Sequence, residues 1–191
     1  DAPVVLDPTL LLTADQWASM ADHPANYPKG GYILCYCISR PGALTPYLER
    51  LHQETGLPVV QLCGIRQKVH PKAKQIMDAG PAEFLGLFQN AAYVVTNSFH
   101  GTVFALIMRK PFITILQKGE TAVQNTRIFS LLESLGLEDR IYHPEKGSMA
   151  EQLDRPINWT AVERNWEALR IHSMEFLKNA IQQCTSATRH G

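Results

Sequence analysis

The sequence predicts an α/β fold, in which a doubly wound and mostly parallel sheet carries helices on both of its faces. Short apolar runs alternate with segments of helical spacing along most of the 191 residues. These runs are apolar throughout, which is typical of strands that are buried on both sides of a parallel sheet. Helical segments of about ten to fifteen residues between them fit right-handed β-α-β crossovers. We therefore expect one domain over residues 1–191.

Length and composition limit the classes of protein that this chain could form. A chain of 191 residues can build one sizeable core, but hardly two. Apolar residues make up 45% and charged residues 19%, which excludes a disordered chain. The formal net charge is zero, so composition gives no electrostatic reason to expect nucleic acid as a partner. No apolar run reaches the about 20 residues of a transmembrane segment, and no Cys or His spacing is typical of a metal site.

The first elements lead into a buried strand. The chain opens at Asp1 and almost at once on the run PVVLDP, residues 3–8, which predicts a short strand. We expect such a chain to be a fragment of a longer protein. Thr13 and Gln16 have the spacing of a capping box and predict a short helix. The run GYILCYCIS, residues 31–39, predicts the first fully buried strand.

A helix, a strand and a loop follow. Thr45 and Pro46 fit the N-cap and first position of a helix, which Gly56 ends. The run PVVQLCG, residues 58–64, predicts the second strand. The polar and basic stretch over residues 65–79 predicts a surface loop.

The remaining elements continue the alternation. Helices are predicted over residues 80–91, 100–110 and 125–137, and strands at YVVT, residues 93–96, and PFITI, residues 111–115.

A long helix is predicted within residues 157–183. Its capping box is assigned to Thr160 and Glu163.

Ligands of open parallel sheets bind beyond the carboxyl ends of the strands. This rule restricts the predicted site to four loops, which are residues 39–40, 64–66, 96–101 and 117–127.

The junction after the predicted strand at residues 93–96 has the pattern of an anion site. With Ser98 as N-cap, His100 and Gly101 fall in the first turn of a helix, where backbone N–H groups lack intrahelical partners and the helix dipole favours anions. Gly101 has no side chain, so a ligand could approach the backbone closely. The alternative is a capping cluster in which His100 only packs.

Arg127 is a second unusual residue at the same predicted edge. It falls in the first turn of its helix, where a cation opposes the helix dipole. A bound phosphate or carboxylate would remove this conflict, since a guanidinium binds both bidentately. The alternative is that Arg127 reaches solvent or a nearby acid. Because both features fall at one edge, we favour an anion site.

Four stretches of the sequence resemble, in the same order, the second half of the polysaccharide pyruvyl transferase family. They extend from about residue 5 to residue 177, and the most specific part is a His-Gly step between a strand and a helix, followed by Lys-Pro and another strand. The stretches are VLDPTLLL, GPAEFLGLFQNAAYVVTNSFHGTVFALIMRKPFITI, NTRIFSLLESLGLEDR and INWTAVERNWEALRIHSMEFL.

The resemblance implies a bacterial two-domain enzyme with the shape of a GT-B glycosyltransferase, in which two Rossmann-like halves face a cleft. This chain would be the C-terminal, donor-binding half and inactive alone. The family moves a pyruvyl group from phosphoenolpyruvate to sugar hydroxyls, commonly as a cyclic ketal, in exopolysaccharide and other cell-surface polysaccharide biosynthesis. The implied partners are phosphoenolpyruvate, a glycan acceptor and the N-terminal domain, with no cofactor or metal. The implied location is cytoplasmic or peripheral at the inner membrane.

The resemblance also assigns site residues. The family's histidine maps onto His100, the expected general acid/base, and its following glycine maps onto Gly101. Many members carry an arginine two residues before the histidine that helps to hold the donor, and this chain has Ser98 there. The donor's charge is therefore expected to be met by other groups. The expected donor- and phosphate-binding residues are Asn97, Ser98, Gly101, Thr102, Lys118, Asn125 and Arg127.

Two other functions remain open from the sequence. The first is the nucleotide-sugar half of an ordinary GT-B glycosyltransferase, although no acidic residue is placed to bind a ribose after the third strand. The second is a non-catalytic α/β domain that binds a small anion or a partner protein.

Overall fold

The structure is a computed structural model that describes residues 3–38, 41–62 and 68–188. Its centre is a five-stranded sheet in the order β3-β2-β1-β4-β5, and all four strand pairings within it are parallel. The predicted α/β fold with a mostly parallel sheet is confirmed. The strands are β1 (Ile33–Tyr36), β2 (Val59–Leu62), β3 (Lys74–Ile76), β4 (Tyr93–Thr96) and β5 (Phe112–Thr114).

Helices cover both faces of this sheet, as predicted for a doubly wound fold. Leu34 and Val94 point to one face, where they join a core with α3, α4, α5 and α7, while Ile33 and Val95 point to the other face, where α2 and α6 pack. Alternate residues of a strand point to opposite sides, so continuous apolar runs are needed to fill both cores. The helices are α1 (Ala14–Ser19), α2 (Thr45–Thr55), α3 (Pro81–Asn90), α4 (Phe99–Ile107), α5 (Asn125–Leu135), α6 (Met149–Leu153) and α7 (Trp159–Thr188).

Two predictions about strands were wrong. The stretch 65–79, predicted as a surface loop, contains the edge strand β3, in which only Ile76 is buried, so its sequence carries no apolar run. Residues 3–7 form no strand, and a 3₁₀ turn follows at Pro8–Leu10. The flanking prolines lack the N–H that a strand ladder needs, and Val4 is 85% exposed.

The helix ends agree with the predicted caps in part. The capping box of Thr13 and Gln16 is confirmed, with Gln16 N donating to Thr13 Oγ1 at 3.2 Å and Thr13 N donating to Gln16 Oε1 at 2.8 Å. The capping box assigned to Thr160 was wrong, because α7 begins one residue earlier and Asn158 Oδ1 accepts from Ala161 N at 3.1 Å.

Two further helix ends differ from the prediction. Thr45 is the first residue of α2, and Leu44 is its N-cap. The short helix α6 was not predicted, although Ser148 and Glu151 form a capping box at its start.

The carboxyl ends of the strands bring two of the four predicted loops together. Gln117 Nε2 donates to the Asn97 backbone oxygen at 3.0 Å, which joins the loop after β5 to the loop after β4. The predicted loops 39–40 and 64–66 lie outside the described residues. Within the part of the chain that the structure describes, no helix has both the length and the apolar character to cross a membrane.

Gly86 is required by the close approach of α3 to the segment before β1. A Cβ at Gly86 would overlap the Asp22 carbonyl oxygen and lie 2.7 Å from its carbon. Asp22 is fixed there, because its N–H donates to the Ala82 oxygen at 2.9 Å. We predict that Gly86→Ala lowers the free energy of unfolding by about 2 kcal/mol, although this change in a helix interior ordinarily raises it by about 1 kcal/mol. Urea unfolding of the chain measures the effect.

The matched control for this prediction is Gln89→Ala, at an exposed position of the same helix. We expect it to change stability by less than about 0.5 kcal/mol. A stabilised Gly86→Ala variant would show that the contact is not close.

Candidate functional site

The turn after β4 fixes where α4 begins. Thr96 Oγ1 donates to the Tyr36 oxygen of β1 at 2.7 Å and accepts from Ser98 N at 3.0 Å. Ser98 is the N-cap of α4, as predicted, although its side chain makes no capping hydrogen bond. Thr102 N donates to the Ser98 oxygen at 3.0 Å, which is the first intrahelical bond. The amides of Phe99, His100 and Gly101 precede that bond in the first turn.

His100 and Arg127 meet at one carboxylate, that of Asp7. Arg127 Nη2 lies 2.8 Å from Asp7 Oδ2, and His100 Nε2 lies 3.6 Å from the same oxygen. The side chains of His100 and Arg127 are 47% and 56% exposed, whereas that of Asp7 is 14% exposed. The site is therefore two half-exposed basic groups around one nearly buried acid.

Asp7 is held in its ionised form. Its Oδ1 accepts from Thr9 N at 3.1 Å and from Thr9 Oγ1 at 2.7 Å, as N-cap of the turn Pro8–Leu10. Burial raises the pKa of the Asp7 carboxyl, but the hydrogen bonds from Thr9 and the charges of His100 and Arg127 outweigh burial. The net pKa of Asp7 lies below its ordinary value of 3.8.

Arg127 is oriented by an aromatic ring as well as by the acid. Its guanidinium carbon lies 3.9 Å from the centroid of the Phe99 ring, within the range of a cation–π contact. The alternative in which Arg127 reaches a nearby acid is the one that this structure shows, with Asp7 as that acid. Asp7 thus already relieves the conflict between Arg127 and the dipole of α5.

The predicted role of Gly101 rested on a wrong reason. A Cβ at Gly101 would overlap Thr96 Oγ1 and lie 2.9 Å from Tyr36 Cδ1. The absence of a side chain at Gly101 therefore allows α4 to pack on β4 and β1. Protein atoms occupy the space through which a ligand was expected to approach.

Three other residues that were predicted to bind the donor have side chains with protein partners. Asn97 Oδ1 accepts from Ile38 N at 3.1 Å. Asn125 pairs with the backbone of Gln117, donating to its oxygen at 2.9 Å and accepting from its N–H at 3.0 Å. Thr102 is buried, and its Oγ1 contacts Thr114 Oγ1 at 2.7 Å. These side chains hold the loops and the helix in place, which differs from direct ligand binding.

The remaining predicted residues differ in exposure. Ser98 is buried, and Lys118 is exposed at the start of the 3₁₀ turn Gly119–Gln124. Of the predicted set, His100, Lys118 and Arg127 have exposed side chains, and the structure brings His100 and Arg127 together.

Asp7 and Phe99 were not predicted as site residues from the sequence. The triplet Asp-Pro-Thr is a helix-start signal that could have identified the turn, but no local pattern shows that it packs beside α4. A cleft of about 350 Å³ opens next to Asp7, Phe99 and Arg127, between residues 4–6 and the helices α5 and α7. Among the described residues, no group of three His, Cys, Asp or Glu side chains could hold a metal ion.

Comparison with known sequences identifies one family. A sequence model of the family described as polysaccharide pyruvyl transferase matches residues 1–118, more than half of the chain. This range includes Asp7 and His100. No curated protein matches the sequence significantly.

Comparison with solved structures finds proteins of low sequence identity. UDP-GlcNAc 2-epimerase from Methanocaldococcus jannaschii has a TM-score of 0.49 and 14% identity, over 84% of this chain and 48% of that one. The glycosyltransferase SnogD from Streptomyces nogalater has a TM-score of 0.44 and 15% identity, over 81% and 43%. The E. coli ADP-heptose heptosyltransferase II has a TM-score of 0.40 and 10% identity, over 90% and 54%. The chain spans about half the length of these proteins.

The lowered pKa of Asp7 predicts a specific loss of stability in acid. A carboxyl with a lower pKa in the folded chain stabilises the fold above its unfolded pKa, and this contribution is lost as the pH falls through the folded pKa. We predict that Asp7→Asn destabilises the chain most near neutral pH and that the difference from the wild type shrinks below about pH 4. Thermal unfolding between about pH 2 and pH 7 measures it.

Glu133→Gln, at an exposed position of α5, is the matched control and should run parallel to the wild type. Parallel curves for Asp7→Asn as well would contradict the ionised, partnered state of Asp7.

Proposed function

The chain belongs to the polysaccharide pyruvyl transferase family, and from this premise we propose that the parent protein transfers a pyruvyl group from phosphoenolpyruvate to sugar hydroxyls. One observation carries the proposal: a half-exposed histidine stands in the first turn of α4, with the exposed guanidinium of Arg127 beside it. These groups match the two needs of the reaction, which are proton transfer and the binding of a multiply charged anion.

Anion binding is supported by the donors at this edge. A guanidinium has five N–H donors, and Asp7 contacts one of its nitrogens, so other donors of Arg127 can meet a carboxylate or phosphate. The amides of the first turn of α4 and the helix dipole favour negative charge at the same place. Ser98 occupies the position of the arginine that many family members carry, and Arg127 would supply the missing guanidinium from a different helix.

The proposed chemistry requires proton transfer at two stages. The methylene carbon of phosphoenolpyruvate takes up a proton, and a sugar hydroxyl oxygen bonds to the neighbouring carbon and loses its proton. A second hydroxyl then bonds to the same carbon and gives up its proton, while the bond from that carbon to the phosphate oxygen breaks and phosphate leaves with the electron pair and accepts a proton. The products are a cyclic ketal and inorganic phosphate.

His100 is the group that we propose for these transfers, because an imidazole exchanges protons near neutral pH. Arg127 and the helix amides would stabilise the charge on the departing phosphate. The glycan acceptor would bind in the cleft between this domain and an N-terminal domain, in a two-domain enzyme of the GT-B type that works in the cytoplasm.

Removal of the His100 imidazole should separate catalysis from folding. We predict that His100→Ala in the full-length enzyme lowers kcat by about 100-fold or more, since general acid–base catalysis contributes this much. The melting temperature should barely change, because the side chain is half exposed. Phosphate release from phosphoenolpyruvate in the presence of acceptor polysaccharide measures kcat. His172→Ala, exposed on α7, is the control, and wild-type turnover by His100→Ala would refute the assignment.

Removal of the Arg127 charge should weaken donor binding. We predict that Arg127→Gln lowers the affinity for phosphoenolpyruvate by about tenfold or more, the effect of losing a charged hydrogen bond. Calorimetric titration of the full-length enzyme measures it, with Arg170→Gln as a control, since Arg170 pairs with Glu167 on the surface of α7. Tight binding of a nucleotide sugar, with none of phosphoenolpyruvate, would favour the glycosyltransferase alternative.

A further inference from the structure

We propose that Asp7 is a positioning residue for His100: its carboxylate holds the Nε2 edge of the imidazole and leaves Nδ1 to exchange protons with the substrate. The catalytic consequence rests on the proposed function of His100. The geometry of Asp7 itself does not depend on that function.

The two carboxylate oxygens of Asp7 contact different partners. Oδ1 accepts two hydrogen bonds from Thr9, at 2.7 Å from the hydroxyl and 3.1 Å from the amide. Oδ2 faces Arg127 at 2.8 Å and His100 at 3.6 Å. Rotation of the carboxylate away from His100 would break both bonds to Thr9, so the direction of Oδ2 is fixed.

The segment that carries Asp7 is also held on both sides. Trp17 Nε1 donates to the Thr9 oxygen at 2.8 Å, and its ring meets Phe104 of α4 edge-on, with centroids 5.2 Å apart. From α7, Trp166 Nε1 donates to the Leu10 oxygen at 2.8 Å. These contacts fix the segment that carries Asp7 against α1 and α7, which is the kind of support that a group orienting a catalytic side chain requires.

The distance of 3.6 Å is an ion-pair distance and is too long for a hydrogen bond. Catalytic hydrogen bonds often shorten when substrate binds. In this structure Arg127 shares Oδ2 with His100. An anion bound to the other donors of Arg127 would neutralise part of the guanidinium charge, and Oδ2 could then accept more strongly from His100 Nε2–H. Donor binding would thereby orient the acid/base.

Few other charged groups bear on this contact. In the described part of the chain, the ion pairs around His100 are those of Asp7 with His100 itself and with Arg127. The ring of Phe99 contacts His100 edge-on, with centroids 5.4 Å apart, and contributes no charge. Asp7 is therefore the acid that can select which ring nitrogen carries the proton.

Kinetics of the full-length enzyme test the proposal. Asp7→Asn keeps the shape of the side chain and an oxygen for Thr9 but removes the charge. We expect kcat to fall about tenfold or more, since removal of an orienting carboxylate from a catalytic histidine has large effects. The KM for phosphoenolpyruvate should change less than about threefold, because Arg127 still binds the donor. A residue that only supports the fold would not lower kcat, at unchanged KM, when the assay is run at a temperature at which the less stable variant is still fully folded.

A second variant distinguishes the loss of the contact with His100 from a folding defect. Asp7→Ser keeps a good N-cap for the turn but is too short to reach His100, and it should show the same loss of kcat. Asp15→Asn, at an exposed position of α1, is the matched control and should keep wild-type kinetics.

Nitrogen NMR of the 191-residue chain gives a readout without turnover. At alkaline pH, where an ordinary imidazole is neutral, the ring nitrogen shifts of His100 report which nitrogen carries the proton. We expect Nε2–H in the wild type and a smaller Nε2–H population in Asp7→Asn. Identical shifts and wild-type kcat in both Asp7 variants would overturn the proposal. If His100→Ala is active, the proposed function of His100 fails instead.

Discussion

The position of His100 depends on one hydroxyl, that of Thr96. It ties the end of β4 to β1 through the Tyr36 oxygen, and it receives the Ser98 amide that begins α4. Because Gly101 has no side chain, α4 can rest directly on this hydroxyl. The start of the helix, and with it His100, is therefore fixed to the two central strands of the sheet. A histidine on a loop would lack this rigid support.

The elements that the sequence predicts correctly are those whose own residues show a clear hydrophobic pattern. The strands at residues 33–36, 59–62, 93–96 and 112–114 are apolar throughout because both of their faces are buried, and this pattern needs no knowledge of the partners. The edge strand β3 buries only Ile76, so its sequence has no apolar run. It forms by pairing with β2, and that pairing leaves no hydrophobic pattern in the sequence of β3. The strand predicted at residues 3–8 was wrong for the opposite reason, since apolar residues alone do not form a strand without a neighbouring strand to pair with.

The site was predictable to the level of its two basic residues. His100 stood out because it falls in the first turn of a helix, where backbone N–H groups lack intrahelical partners, and Arg127 stood out because a cation in that position opposes the helix dipole. The pairing with Asp7 could not be predicted, because it joins positions 120 residues apart. The amide side chains Asn97 and Asn125 show another limit. Sequence reveals a polar group at the right edge of the sheet, but only coordinates reveal whether its donors and acceptors are already taken by backbone groups.

Two indole N–H groups that bind the turn at residues 7–10 make the position of Asp7 depend on α1 and α7. Trp17 and Trp166 grip adjacent carbonyl oxygens, and Leu6 N donates to Ser173 Oγ of α7 at 3.0 Å. Separation of this turn from α1 and α7 would withdraw the Asp7 carboxylate from His100 and Arg127. The relative position of these three side chains therefore depends on packing contacts that lie outside the candidate site.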